Sequence, residues 1–240
     1  MSYDSKLILV GSICGIAGCA IFLVLAGLVE QLYWQPKFQA LVKNTGDFLS
    51  LSGSSPYRQF SMGGHLLIAF SLILFAVGFI GLHKLLSYDK KRISATIGSI
   101  FGVIACAIMV EMVIVQGTIM NKMGKLFLES TSEQKEVVIY LYRGLRYIDY
   151  GLDISFDFFF FSAWILLGFA MLKNKYFSKI IGLIGIILFT ITAILNLMTA
   201  PNPPSIELSP ACCLWILVVY ILALRLVKRI SHENNAVISR

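Results

Sequence analysis

Three aspartates, Asp149, Asp153 and Asp157, recur at four-residue intervals where the apolar stretch 150–172 begins. On a helix this spacing puts the three carboxylates on one stripe. Each carboxylate in the hydrocarbon region of a bilayer costs about 2.5–3.5 kcal/mol on insertion scales. The stripe therefore predicts a polar site within a membrane protein, with the chemistry of proton or cation binding.

Other polar side chains lie at a similar depth in neighbouring apolar stretches. His65 lies just inside the second stretch, Glu111 lies roughly 9 Å inside the third, and Asn196 lies near the end of the fifth. Lipid exposure is the costlier alternative for such groups, so we expect them to face the bundle interior. They would then line an acidic cavity open to the extracytoplasmic side, with Asp153 and Asp157 as primary acids. In this hypothesis Glu111 is their partner across the bundle and His65 modulates the site.

Carboxylates that share a site of low dielectric constant cannot all carry a charge, so such a group takes up a proton or a cation. Arg146 lies three residues before Asp149 and is its predicted ion-pair partner. Aspartate and histidine together also bind metal ions, although no tight ligand spacing is present, so a metal stays an open question. The alternative is structural, with Tyr, Ser or Asn side chains of other helices satisfying the aspartates by hydrogen bonds.

The composition places the chain in a membrane. Of its 240 residues, 58% are hydrophobic and 14% are charged, against about 25% charged in soluble domains. Six stretches are long enough to cross a hydrocarbon core of about 30 Å, and backbone groups in lipid must pair within helices. We predict an all-α fold, a single membrane domain over 1–240 with six transmembrane helices at about 7–29, 63–86, 94–117, 150–172, 179–199 and 210–229.

The positive charge is distributed unevenly between the connections. Short segments after the second, fourth and sixth spans are rich in lysine and arginine, whereas the short loop 200–209 on the other side has none. The positive-inside rule then predicts cytoplasmic N- and C-termini and a multi-pass protein of the cell membrane. The net charge of +7 indicates contact with anionic lipid headgroups rather than nucleic acid.

The two long loops, 30–62 and 118–149, carry helix signals of their own. Pro36 suits the start of a short interfacial helix that ends near the turn beginning at Gly53. Ser130 and Glu133 fit a capping box, and apolar residues continue at helical spacing into the fourth span. The fourth helix is therefore expected to start near residue 131. Glycines within the first, third and fifth spans predict close packing between helices of the chain.

Motifs of soluble enzyme chemistry are lacking. The sequence contains no His-Glu-x-x-His, Gly-x-Ser-x-Gly, P-loop or dinucleotide fingerprint, and we expect no cofactor. Three hypotheses remain. The leading one is binding or transport of a proton, cation or small cationic molecule. The second is a sensor, immunity factor or scaffold acting through lipid or protein partners, and the third is an intramembrane enzyme.

One segment resembles a known group of proteins. Gly151-Leu152-Asp153, followed by Asp157, Trp164 and the run 167–172, is similar to a motif of bacterial six-helix membrane proteins grouped as a domain of unknown function. The chain length and the helix count also fit that group. The resemblance implies a six-helix architecture and a bacterial origin, and it implies no activity.

Overall fold

The computed structural model describes residues 3–25, 41–199 and 208–238, with side chains for all of these except 56, 228 and 231–238. Eight α-helices make up most of this part of the chain. They are α1 (Tyr3–Phe22), α2 (Thr45–Gly53), α3 (Ser55–Leu86), α4 (Ile93–Val115), α5 (Asn121–Glu129), α6 (Ser132–Leu172), α7 (Lys179–Thr199) and α8 (Ser209–Ile238). A π-helical turn, Gln116–Met120, joins α4 directly to α5.

Six helical segments are long and apolar enough to cross a membrane, which confirms the predicted all-α, six-span, multi-pass architecture. The spanning helices pack in the order α1, α3, α4, α6, α7 and α8, and α8 closes the ring against α1. We call the side where α3 and α6 end the basic side, because Lys90, Lys91 and Lys173 lie there. The opposite side is called the cap side.

Two elements on the cap side differ in part from the sequence prediction. The fourth spanning helix, α6, is continuous from Ser132, and its capping box is formed by Thr131 and Gln134 rather than by Ser130 and Glu133. The Thr131 backbone N–H donates to Gln134 Oε1 at 3.0 Å. The predicted interfacial helix starts outside the described residues, and it does not run unbroken to Gly53: residues 42–44 are not helical, and α2 is a separate helix that starts at Thr45 with Asn44 as its N-cap.

Glycines set the close approach of the spanning helices, as their positions predict. Gly11 of α1 and Gly81 of α3 face each other so tightly that a Cβ on Gly81 would lie 2.6 Å from the Gly11 Cα atom. Gly168 of α6 and Gly182 of α7 form a similar backbone contact. Small residues permit such contacts, and close packing is a main source of helix association in lipid.

An aromatic layer closes the interior of the ring. We use this name for Phe79, Trp164, Phe189, Trp215 and Tyr220, which come from α3, α6, α7 and α8. The Trp164 ring centroid lies 5.1 Å from that of Phe79, 5.8 Å from that of Phe189 and 5.5 Å from that of Trp215. Glycines back several of these rings, with Gly102 against Phe79, Gly15 against Tyr220 and Gly185 against Trp215. These contacts fill the ring interior with aromatic side chains.

A helical cap with its own core projects from the cap side. It consists of α2, α5 and the first part of α6, residues 132–148. Its buried side chains come from all three elements and from the π-helical turn: Leu49, Met120, Phe127, Val138 and Tyr142. The α6 helix has 41 residues, so it is about 60 Å long, twice the thickness of the hydrocarbon core. Even a tilt of 40° would leave it spanning about 47 Å along the membrane normal, so the cap lies beyond the lipid tails.

Arg92 ties the basic-side ends of two spanning helices together. Its guanidinium donates to the Leu86 carbonyl at the end of α3 at 2.5 Å and to the Lys173 carbonyl after α6 at 2.7 Å. It also donates to both Asp89 carboxylate oxygens, at 2.6 and 3.0 Å. The last carbonyls of a helix lack hydrogen-bond donors within the helix, and a cationic side chain placed there can donate to them. Its positive charge also interacts favourably with the negative end of the helix dipole.

We expect Arg92→Ala to destabilise the folded protein by about 2 kcal/mol, the scale of lost charged hydrogen bonds. The Arg92 hydrogen bond holds the pKa of Asp89 below its usual value. This pKa is depressed in the folded state. The stability that Asp89 contributes is therefore present above about pH 4, and it is lost as pH falls through the folded-state pKa. Unfolding measured at neutral and acidic pH should show a smaller difference between variant and wild type in acid. Arg92→Lys, which keeps the charge without the planar fork, should recover less than half of the loss.

Candidate functional site

The three aspartates lie on the inward face of α6. Tyr142 lies seven residues before Asp149 on this helix, and Trp164 lies seven residues after Asp157. Both aromatic side chains are buried. Residues seven apart share a helix face, so the aspartate stripe runs between two inward-facing aromatics. Along it Asp149 is buried, Asp153 is exposed and Asp157 is half-buried.

Asp149 is bound by two side chains at the junction of the membrane part and the cap. Arg146 Nη1 donates to Asp149 Oδ2 at 2.5 Å, which confirms the predicted ion pair. Gln116 Nε2, from the start of the π-helical turn, donates to Asp149 Oδ1 at 2.9 Å. The Arg146 guanidinium also lies 4.7 Å from the centroid of the Tyr150 ring. With its charge compensated, Asp149 links α6 to the end of α4.

The π-helical turn connects this junction to His65. The residue after Gln116 is Gly117, and a Cβ at Gly117 would lie 2.7 Å from the His65 Cβ atom on α3. The buried Asn121 side chain donates to the Gly117 carbonyl at 2.7 Å, and so gives one of the carbonyls of the turn a partner. Turns of this kind are rare and recur at functional sites. The turn therefore brings the end of α4 against His65 in α3 and Asp149 in α6.

His65 is hydrogen-bonded within its own helix. Its Nδ1 atom lies 2.6 Å from the Ser61 carbonyl oxygen. A carbonyl accepts hydrogen bonds only, so Nδ1 carries a proton and donates it to this carbonyl. The structure thus places His65 against Gly117 and Ser61 rather than in a hydrogen bond with an aspartate.

Asp157 pairs with Asn196 across the α6–α7 interface. Asn196 Nδ2 donates to Asp157 Oδ2 at 2.9 Å. Asn196 shares its helix face with Thr192 and Phe189, four and seven residues earlier, and both of these side chains are buried. The pair therefore lies inside the ring, on the cap side of the aromatic layer. At 1.5 Å per residue, Asp157 lies about 22 Å from the end of α6, or about 8 Å inside a 30 Å core.

A second polar contact, near the Asp157–Asn196 pair, connects α7 to α8. The Thr192 hydroxyl lies 3.4 Å from Cys212 Sγ. Thr192 and Cys212 did not figure among the residues predicted from the sequence. The signal for Thr192 is its position one turn before Asn196, on the same helix face.

Asp153 differs from its two neighbours on the stripe. Asp149 and Asp157 each bind a side chain of another helix, whereas Asp153 makes no hydrogen bond or ion pair within the described ranges. It lies about 28 Å from the end of α6, close to the boundary of the hydrocarbon core. Its side chain is nevertheless exposed on the inward face. Asp153 is thus the accessible carboxylate of the stripe.

Glu111 does not face the bundle as the sequence hypothesis expected. It is exposed on the outer face of α4, where Ile104 and Ile114 are 36% and 41% exposed. The buried face of α4 is set by small residues, including Gly98 and Gly102, which pack on α6 and α3. Glu111 is rotated away from that face, so the structure does not bring it to the aspartate stripe.

The chemistry available at the site is that of its oxygen-bearing side chains. Within the ranges 3–25, 41–199 and 208–238, no three His, Cys, Asp or Glu side chains come together as a metal-binding group. The groups present are carboxylates, amides and a hydroxyl, which bind protons and hard cations.

Comparison with known proteins adds no family assignment. No family model, no curated protein and no solved structure matches the chain.

Proposed function

We propose that the protein binds a proton or another small cation at Asp153 and Asp157, in a recess inside the helix ring that opens on the cap side. One observation carries the proposal: Asp153 is exposed although it lies on the inward stripe of α6 between two partnered aspartates. The exposure of a carboxylate on an inward face supports an opening between helices at that level. Carboxylates within a membrane domain face such openings and mark ion and proton sites.

The surrounding side chains support a division of roles between the three aspartates. Asp149 is neutralised by Arg146, so it anchors the junction instead of binding a mobile cation. Asp153 is the first carboxylate below it, and it lacks a counter-charge within hydrogen-bonding distance among the described residues. Asn196 orients Asp157 one helical turn deeper. A cation that enters from the cap side would therefore meet Asp153 first and Asp157 second.

The aromatic layer supports a site that is closed towards the basic side. Trp164 and Phe189 stack with a centroid distance of 5.8 Å directly below the Asp157–Asn196 pair. The lysines and arginines near the basic-side ends of the helices support a cytoplasmic location for that side. In this orientation the recess opens away from the cytoplasm.

The test compares the wild type with the double variant Asp153→Asn/Asp157→Asn in detergent and in lipid nanodiscs. Asparagine keeps the size of each side chain and the capacity of position 157 to bond with Asn196. Thermal unfolding is recorded over a pH series and with Na⁺, K⁺, Mg²⁺ and tetramethylammonium. A ligand at 100 times its Kd stabilises the folded state by about 2.7 kcal/mol, so the wild type should show an ion- or pH-dependent shift that the double variant loses.

Glu111→Gln is the matched control, because it removes a carboxylate at a similar depth on the outer face of α4. It should respond to ions and pH as the wild type does. Identical curves for the wild type and the double variant under every condition would refute the proposal. If the shift is present, flux of the stabilising ion into proteoliposomes then separates transport from binding alone.

A further inference from the structure

An apolar stripe runs along the face of α6 opposite the aspartates. Its side chains are 55–77% exposed, and they recur at spacings of three, four and seven residues along the cap part of the helix. We call it the exposed stripe, and it consists of Val137, Tyr140, Leu141, Gly144, Tyr147, Ile148 and Gly151.

Lipid tails cannot cover most of the exposed stripe. Val137 lies about 52 Å along α6 from Leu172, which is about 22 Å beyond a hydrocarbon core of 30 Å for an upright helix and about 10 Å beyond it at a tilt of 40°. Tyr140 and Leu141 lie about 17 Å beyond the same boundary. Soluble surfaces that expose contiguous large apolar side chains are typically binding surfaces. The cap part of α6 therefore presents a surface that another macromolecule covers.

Two glycines of the stripe are not in close contact with any part of the chain that the structure describes. A Cβ placed on Gly144 or on Gly151 would meet none of the described atoms within 4 Å. In contrast, Gly53 and Gly124 of the same cap are in backbone contact with each other. Glycine inside a helix costs about 1 kcal/mol relative to alanine, and a close helix contact offsets this cost. Gly144 and Gly151, seven residues apart, indicate such a contact with a second helix.

The spacing of residues in the exposed stripe indicates which kind of helix would pack against it. Val137, Gly144 and Gly151 repeat every seven residues, and Tyr140 and Tyr147 repeat with the same period. A seven-residue repeat is the seam of two helices that wrap around each other with a left-handed twist. The seam continues from the cap to the membrane boundary, so the partner must be a helix that rises equally far from the same bilayer.

We propose that the protein forms a parallel homodimer in which the exposed stripes of two α6 helices pack against each other. A second copy in the same membrane presents a helix of the required length, orientation and repeat. A two-fold axis along the membrane normal brings each stripe residue opposite its own equivalent. The five large side chains of the stripe, with tyrosines near 200 Å² each, offer on the order of 600–800 Å² per protomer, close to the share of one partner in a standard interface.

The dimer would leave the aspartates accessible, because they lie on the opposite face of α6. The proposal therefore does not rest on the cation site, and either can fail without the other. It assigns the exposed cap helix a role that the cation site does not explain.

The test uses Gly144→Leu/Gly151→Leu. Both positions are open within one chain, so the variant should fold and should unfold at or above the wild-type temperature, since leucine favours helix more than glycine does. Four leucines at the seam should weaken dimerisation by on the order of 100-fold. The mass of the particle is measured by light scattering in detergent, and the stoichiometry is measured by single-molecule photobleaching in dilute liposomes.

The expected result is a dimer for the wild type and a monomer for the double-leucine variant. Gly63→Leu/Gly64→Leu on α3 is the matched control, because those glycines are also open, and it should remain dimeric. A wild type that is monomeric in lipid, or a double-leucine variant as dimeric as the wild type, would overturn the proposal. Should the variant fail to fold, Val137→Cys provides a second measurement, because the two copies should form an intermolecular disulfide at that position and not at Glu136→Cys on α6.

Discussion

Replacing Arg146 with methionine is expected to lower the free energy of unfolding by about 3–5 kcal/mol, the cost of leaving a buried charge without its partner. The Asp149 side chain is 4% exposed, so the carboxylate itself is shielded from water. Gln116 alone then compensates the carboxylate with a single amide group. Reversible unfolding in mixed micelles, followed by tryptophan fluorescence, measures the loss.

Two further variants separate the ion pair from the loss of the arginine side chain. Arg146→Met/Asp149→Asn removes both charges and keeps an acceptor for Gln116, so it should regain most of the lost stability. Arg143→Met, one turn earlier and exposed, should change stability by less than about 0.5 kcal/mol. If Arg146→Met were as stable as the wild type, the junction between α4 and α6 would not depend on this pair.

Gly81→Ala is expected to cost about 3 kcal/mol or to prevent folding. The new methyl group would lie 2.6 Å from the Gly11 Cα atom, and backbone cannot yield as a flexible side chain does. The helices α1 and α3 would have to separate along their whole contact. Thermal unfolding in detergent, together with the yield of folded protein, measures the effect.

Gly63→Ala on the same helix is the control for helix propensity. A Cβ at Gly63 meets no atom within 4 Å, so this substitution should leave stability unchanged or raise it by up to about 1 kcal/mol. Equal losses for Gly81→Ala and Gly63→Ala would show that the contact with Gly11 does not limit the packing of α1 on α3.

Much of the architecture could be predicted because lipid imposes strong local constraints. Each spanning helix needs about 20 apolar residues in a row, and such runs are visible without knowledge of the partners. The early start of α6 was less visible in hydropathy alone, because Arg143 and Arg146 interrupt the apolar run. Its helical spacing and the nearby cap signals indicated it to within one or two residues.

The candidate site could be predicted in part. The Arg146–Asp149 pair lies within one helix, where the spacing of three residues fixes its geometry. The contacts of Asp149 with Gln116 and of Asp157 with Asn196 join different helices, and helix rotation decides them. Helix rotation also explains why the prediction for Glu111 was wrong. The sequence gives the position of a residue along its helix, but it does not show which face of α4 turns towards the bundle.

The aromatic layer has a consequence for the speed at which anything could cross the bundle. Three of its five rings pack against glycines of neighbouring helices, so a change of side-chain rotamer alone would not open a passage. A crossing would need whole helices to slide or tilt, and such motions take microseconds to milliseconds. One protein molecule would therefore pass no more than about 10³–10⁶ ions per second. Electrical recordings from the protein should show no unitary current steps, even where tracer uptake is measurable.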